Sequence, residues 1–321
     1  MILVTGATGF VGQNLVGSLL MKNKPVRACV RSRYNKYIES PLLELFIVKD
    51  LEQIASWEKS LQDIEVVIHT AARVHIMDNK EANPLAEFRK VNTEGTLNLA
   101  RQAAEHGIRR FIFISSIKVN GEMTTIGKPF KPTDNTIPTD PYGLSKYEAE
   151  QGLLSIADET GMEVVIIRPP LIYGQGVKAN FASMMKWVSK GIPSPLGAIE
   201  NQRSLIALEN LTDFIIHSID HPKAANEVFL ISDDEDVSTT ELLRKVAKAF
   251  GKQTTLLPIP VNLMTFFARL FGKKTIADRL FSSLQIDSSK VRDLLDWKPV
   301  ITMDEQLRKT AEAYIKNEKN L

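Results

Sequence analysis

Cysteine is nearly absent. Cys29 is the only one in 321 residues, which excludes an intrachain disulfide framework and a cysteine-rich zinc site and fits a reducing, cytoplasmic setting. An excess of one charge is missing too. The 40 Lys and Arg against 38 Asp and Glu leave a formal net charge of +2, so the chain has no global electrostatic footprint for nucleic acid. No uninterrupted apolar run reaches the roughly 18 residues of a membrane span. The most apolar stretch, 261–271 (VNLMTFFARLF), reads as a core-facing helix ended by Gly272 and two lysines, with a helix lying on a membrane surface as the alternative. The opening MILVTGATGF has neither a basic stretch nor a cleavage site and reads as a strand entering a turn, not as a signal peptide. The five histidines show no metal-ligand spacing, and no metal is expected.

What is present is an ordinary globular balance, 44% hydrophobic and 24% charged. The length suits one large α/β domain or two joined ones, at roughly 150 residues each. Short β-branched runs alternate with helical patterns. Strands are expected at 2–5, 26–30, 46–48, 66–69, 110–115 and 163–168, and helices at 10–21, around 86–106 and after Pro141. That rhythm predicts a parallel sheet with helices on both faces. The near-continuous apolar strands VVIH, FIFIS and VVII suit burial on both sides. After Gly174 the rhythm loosens and helical patterns dominate. The expected division is therefore a doubly wound domain over 1–174 and a smaller, mostly helical substrate lobe over 175–321, some of whose segments return to the first.

Gly6, Thr8, Gly9, Phe10, Val11 and Gly12 belong to the turn GATGFVG, which follows the first strand directly and opens a helix. Glycines there permit a tight turn, close approach of the backbone to a pyrophosphate and packing of helix on strand. The freed N–H groups and the helix dipole face the anion. This points to a Rossmann-type dinucleotide site. Such sites for NAD place a carboxylate after the second strand. Here the strand runs into Arg31-Ser32-Arg33, and a guanidinium suits a 2′-phosphate. The cofactor expectation is therefore NADP(H), with NAD(H) as the other possibility. Asp50, followed by Leu51, stands where it would cap the next helix or meet an adenine amino group.

Tyr142 is the only tyrosine with a lysine four residues on, Lys146, so the two share a helix face. Pro141 places Tyr142 in the first helical turn. A free phenol titrates near about 10, and a neighbouring ammonium lowers that value, yielding a general acid/base. Ser116 lies where a strand ends, at the edge where sheets of this kind bind ligands, and its hydroxyl would bond a substrate oxygen beside the phenol.

GATGFVG, His69–Ala72 (HTAA), Val91–Thr96 (VNTEGT), ISSIKVNG, PYGLSK and Arg168–Gly174 (RPPLIYG) together resemble the extended short-chain dehydrogenase/reductases, and within them the nucleotide-sugar epimerase/dehydratase group. The resemblance is dense over the first 180 or so residues. It implies that Tyr142 is the acid/base, that Lys146 lowers its pKa and holds the nicotinamide ribose, and that Ser116 is the catalytic serine. It further implies that Ala71 and Ala72 line the cofactor groove, that Asn92 supports the site and that Pro169 lies near the nicotinamide. Asn180 would meet a sugar nucleotide, Arg203 would clamp its diphosphate with Arg279 as a second clamp, and Lys118 would contact substrate. A homodimer through the helix bearing Tyr142 is also implied.

Sugar dehydration needs an acid and a base, which dehydratases of this group carry as an Asp-Glu pair after the catalytic serine or threonine. Ile117 and Lys118 fill those places, so dehydration is disfavoured. The first reading is 4-keto reduction of a UDP-4-keto-6-deoxy-N-acetylhexosamine in surface polysaccharide synthesis. The alternative is a UDP-hexose or UDP-N-acetylhexosamine 4-epimerase with tightly held NAD+. A ketoreductase of a non-nucleotide substrate and a non-catalytic dinucleotide sensor are the remaining readings.

Overall fold

The computed structural model describes residues 1–32, 40–48, 56–74, 83–134, 136–272 and 274–319. Its strands are β1 (Ile2–Thr5), β2 (Val26–Val30), β3 (Leu43–Ile47), β4 (Val66–His69), β5 (Arg110–Ile114), β6 (Glu163–Arg168), β7 (Leu171–Tyr173), β8 (Arg203–Ala207), β9 (Glu227–Leu230) and β10 (Asp236–Val237). The helices are α1 (Phe10–Met21), α2 (Glu58–Leu61), α3 (Pro84–Arg89), α4 (Thr96–Glu105), α5 (Pro141–Thr160), α6 (Ala179–Ser189), α7 (Leu208–Asp220), α8 (Thr239–Ala249), α9 (Val261–Leu270), α10 (Lys274–Phe281), α11 (Ser289–Leu295) and α12 (Met303–Lys319).

Seven strands form one parallel sheet in the order β3-β2-β1-β4-β5-β6-β9. Successive side chains leave a strand on opposite faces, and both faces are apolar here. Val4, Ile112 and Ile167 join Leu15, Leu19, Phe214 and Trp297 on one side. Leu3, Phe111, Phe113 and Ile166 join Trp57, Leu99 and Leu153 on the other. This two-sided burial gives the doubly wound, Rossmann-type α/β fold expected from the strand composition. The strand order reverses between β1 and β4, where open sheets of this type bind ligands at the carboxyl ends of their strands.

The structure departs from the sequence reading in four places. The third strand is Leu43–Ile47, earlier than 46–48. As an edge strand with Leu45 and Ile47 exposed, it lacks the apolar run that marks the buried ones. The expected single helix over 86–106 is interrupted by a π-helical turn, Lys90–Gly95. The C-terminal half is less uniformly helical than expected: β7, β8 and β10 build a second sheet, and β9 completes the first. That half also has its own core of Tyr173, Phe181, Met185, Leu242, Val246 and Leu307. Finally, α9 is not core-facing, since none of its residues is buried. Among the described residues, no helix is long and apolar enough to cross a membrane.

Candidate active site

The loops after β1, β4, β5 and β6 meet at one edge of the sheet. After β1, Gly6 turns with φ +66°, and a Cβ there would lie 2.7 Å from the Ala71 amide nitrogen. A Cβ on Gly12 would lie 2.2 Å from the Gly6 carbonyl oxygen. Gly9 begins α1 with no side-chain cap, so the first amides of the helix face outward with their positive dipole end uncompensated. Thr8, Phe10 and Val11 are half-buried around that opening. The cradle fits a dinucleotide pyrophosphate: it is closed to side chains and opens on the uncapped start of α1. Ala71 and Ala72 follow β4 directly and form the adjacent wall, Ala71 buried and Ala72 half-buried.

Asn92, fully buried in the π-helical turn, ties three elements together. Its amide accepts from the Arg73 backbone N–H at 2.8 Å and donates to the Arg73 carbonyl at 3.0 Å and to Ser145 Oγ on α5 at 3.1 Å. Thr93 donates to the Ser145 carbonyl at 2.8 Å. The extra residue of a π turn re-aims side chains that a regular helix would direct elsewhere. Here it brings an asparagine to both the loop after β4 and the helix of Tyr142. Below it lies His69, at the end of β4, held by Thr5 Oγ1 at 2.7 Å and Thr96 Oγ1 at 3.0 Å. Burial and then the Lys146 ammonium hold its pKa down to about 3, so the ring is neutral.

The Ser116 side chain lies near enough to the Tyr142 phenol to pull its pKa down against burial. The two residues expected from sequence to act together therefore lie on adjoining elements, the serine loop and α5. Ser116 Oγ also accepts from the Lys118 N–H at 3.3 Å, capping the short 3₁₀ turn Ile117–Val119. Phe88 packs edge-on to the Tyr142 ring at 5.8 Å. Gly143 makes the approach possible: a Cβ there would sit 2.7 Å from the Lys118 carbonyl oxygen, so only glycine lets α5 lie this close to the serine loop. Pro169 accepts from the Ile117 N–H at 3.0 Å, fixing the loop after β6 against the same turn.

Burial dominates the electrostatics of both Tyr142 and Lys146. Burial pushes the Tyr142 phenol up to about 12, opposed by the Ser116 side chain and reinforced by the Asp140 carboxylate. Asp140 caps α5 through the Gly143 N–H at 2.8 Å, which sets a carboxylate at the helix start beside the phenol. Lys146, one turn further along α5, is buried. Its ammonium donates to the Ile114 carbonyl at 2.8 Å and sits 4.2 Å above the Phe113 ring. Burial pulls it down to about 7, with Glu150 pushing the other way.

Sequence reasoning missed Glu150. It continues the Tyr142–Lys146 row by one more turn, which was the available signal. Its buried carboxylate accepts from Ser115 Oγ and from the Arg168 guanidinium, whose Nη1 reaches Asn120 Oδ1 at 3.0 Å. The carboxyl ends of β5 and β6 are thereby locked to α5.

The substrate-side candidates are distributed unevenly. Lys118 points to acids of the chain itself, Glu122 at 3.0 Å and Asp140 at 3.2 Å. Arg203, at the start of β8, donates to the Arg279 carbonyl at 2.8 Å and to the Ser282 carbonyl at 3.1 Å, so the two arginines lie together; burial lowers the Arg203 pKa. Asn180 is exposed in the first turn of α6. Arg31 is exposed just past β2. Asp50 and Leu51 lie outside the described residues, as does Arg33.

A glycine cradle, a Tyr–Lys helix and a serine loop at the switch point of a doubly wound sheet define an extended short-chain dehydrogenase/reductase. The model of the "NAD dependent epimerase/dehydratase family" matches residues 2–232. A Vibrio cholerae protein named UDP-glucose 4-epimerase is 54% identical over 316 residues, covering 98% of this chain and 95% of its own. An Escherichia coli O157:H7 epimerase of N-acetyl-alpha-D-glucosaminyl-diphospho-ditrans,octacis-undecaprenol is 25% identical, covering 90% of this chain and 88% of its own. Among solved structures, UDP-glucuronic acid 4-epimerase from Bacillus cereus in complex with NAD has the same fold, with a TM-score of 0.78 at 22% identity over 98% of both chains. This chain belongs to the NAD dependent epimerase/dehydratase family. The lean toward NADP(H) drawn from Arg31 finds no support there, since the family is named for NAD.

Proposed function

We propose that the protein is a UDP-sugar 4-epimerase working with a tightly held NAD+, the second of the two leading readings drawn from sequence. The observation that carries this is the 54% identity over almost the full chain to a protein named UDP-glucose 4-epimerase, joined to the retained Ser116–Tyr142 pair. Two features of the site agree with it. Ile117 is buried and Lys118 is engaged with Glu122 and Asp140, so the carboxylate pair that dehydration needs is absent. Epimerisation also consumes no reductant, so it does not need the phosphate-bearing dinucleotide.

Gly6, Gly9 and Gly12 would hold the pyrophosphate, with Ala71 and Ala72 beside it. Lys146 would reach the nicotinamide ribose, and Asn92 would keep the surrounding loop in place. When bound, NAD supplies an acceptor, and then a donor, for the hydride on the sugar C4. Tyr142, deprotonated with the Lys146 ammonium as counter-charge against the effect of burial, would take the proton of the C4 hydroxyl and later return it, and the Ser116 hydroxyl would hold that oxygen between the two events. Returning the hydride to the opposite face requires the hexose to present its other side. The diphosphate must stay fixed meanwhile, which is the task of Arg203 with Arg279, and Asn180 would meet the nucleotide. The substrate half of the site thus falls within 175–321, and assembly as a homodimer through α5 belongs to the same reading.

Heat-released nucleotide from the purified protein tests the cofactor. Stoichiometric NAD+ supports the epimerase. An empty site that saturates with NADPH supports the 4-ketoreductase, the reading that exposed Arg31 favours.

A further inference from the structure

The apolar stripe of α9 points to solvent. Leu263, Phe266, Phe267 and Leu270 follow the i, i+3, i+4, i+7 spacing of one helix face, and they are 47%, 61%, 48% and 68% exposed. Phe271, just past the helix end, is 71% exposed. A surface helix of a globular protein turns such a stripe inward, and a contiguous exposed apolar patch marks an interaction site. The patch extends beyond the helix. Leu257 is exposed in the segment leading into α9. Backbone pairing of Ser194 with Leu256 and of Leu196 with Pro258 lays that segment beside the loop after α6, where Ile192 is exposed and its carbonyl accepts at 3.1 Å from the indole of Trp187, itself exposed on α6.

Charge accompanies the apolar surface. Residues 175–199 and 251–281 together hold eight Lys and Arg and a single acid, Asp278, in a chain whose net charge is only +2. The remainder of the chain is therefore net negative, and the positive charge is gathered around this patch. Lys186, Lys190, Lys252, Arg269 and Arg279 are exposed there. A second copy is a poor occupant: a two-fold contact would set one basic rim against another. Protruding phenylalanines and leucines within a basic rim match an anionic bilayer surface, which takes the apolar side chains into its acyl boundary and pairs its headgroups with the cations.

We propose that α9 is a membrane-surface helix that docks the enzyme, through Leu263, Phe266, Phe267, Leu270 and Phe271, on anionic lipid. Because Arg279 of the adjoining α10 lies with Arg203, the docked face is next to the proposed diphosphate clamp.

Sedimentation of the full chain with vesicles tests this. Wild type should sediment with vesicles of phosphatidylglycerol and phosphatidylcholine in equal parts and much less with phosphatidylcholine alone. The double variant Phe266→Ser/Phe267→Ser should bind the anionic vesicles about tenfold more weakly, with its melting temperature and circular dichroism unchanged. Arg269→Glu should weaken binding to the anionic vesicles and not to the neutral ones. If the serine pair perturbs folding, Leu270→Ser replaces it. The proposal is overturned by a wild type that ignores phosphatidylglycerol, by variants that bind as wild type does, or by light scattering in which the mass halves in the double variant, which assigns α9 to a second copy.

Discussion

At the scale of the residue, Tyr142 stands between opposing influences. Burial and Asp140 hold its proton on, and Ser116 draws it toward the anion. The loss of acid/base work in Tyr142→Phe should lower kcat by at least about 10³-fold, within the usual range for a positioned proton carrier, while bound NAD is retained. A variant with normal turnover would remove Tyr142 from the chemistry. Arg203→Ala should raise KM for a UDP-sugar with kcat less affected, since it removes a clamp on a part of the substrate that does not react; an unchanged KM would show that the diphosphate is held elsewhere. The placing of Tyr142 and Lys146 one turn apart on α5, and of Ser116 just past β5, was legible from spacing and motif order. The actual partners of Lys146 were not, because Ile114 and Phe113 belong to β5 and no helical periodicity connects them to α5. The same holds for Lys118, whose acids Glu122 and Asp140 occupy it in a way that a strand-end motif does not reveal.

At the scale of the element, α5 is positioned by close backbone approach. Gly143→Ala would push a Cβ against the Lys118 carbonyl, which is main chain and cannot step aside, so the helix and the serine loop must separate. The expected cost is about 1–3 kcal/mol of stability, together with a fall in kcat as Ser116 leaves Tyr142. Gly152→Ala, further along the same helix, meets only the flexible tip of Leu97 at 2.6 Å and should leave kcat unchanged. Thermal melts and initial rates on the two variants check this, and equal behaviour would contradict the packing argument. The buried strands β1, β4, β5 and β6 were readable because their apolar runs had no other explanation. The π-helical turn was not, since Lys90–Gly95 carries ordinary helix-compatible residues and only the tertiary bonds of Asn92 and Thr93 select it. Nor was β9, which reaches the sheet edge from more than fifty residues beyond β6.

At the scale of the whole molecule, stability should depend on pH through His69. Its folded pKa of about 3 lies below the ordinary imidazole value of 6.5, so between these limits the unfolded chain binds a proton that the folded one does not. The stability this neutral ring contributes is present in full above pH 6.5 and is lost as pH falls toward 3, by at most roughly 1.4 kcal/mol per pH unit. His69→Gln should flatten that part of the profile in melting experiments from neutral pH to 4; an unchanged slope would assign acid sensitivity to other groups. The fold class was legible because one periodicity covers most of the chain, whereas the reaction was not, since reductase and epimerase share cradle, phenol and serine and differ in what becomes of the dinucleotide. The decisive measurement is therefore incubation of the purified enzyme with UDP-galactose and no added cofactor, followed by nuclear magnetic resonance. The account predicts interconversion with UDP-glucose without net oxidation, abolished in Tyr142→Phe. Absence of interconversion with UDP-hexoses and UDP-N-acetylhexosamines alike, alongside stoichiometric consumption of NADPH on a UDP-4-keto sugar, would contradict it.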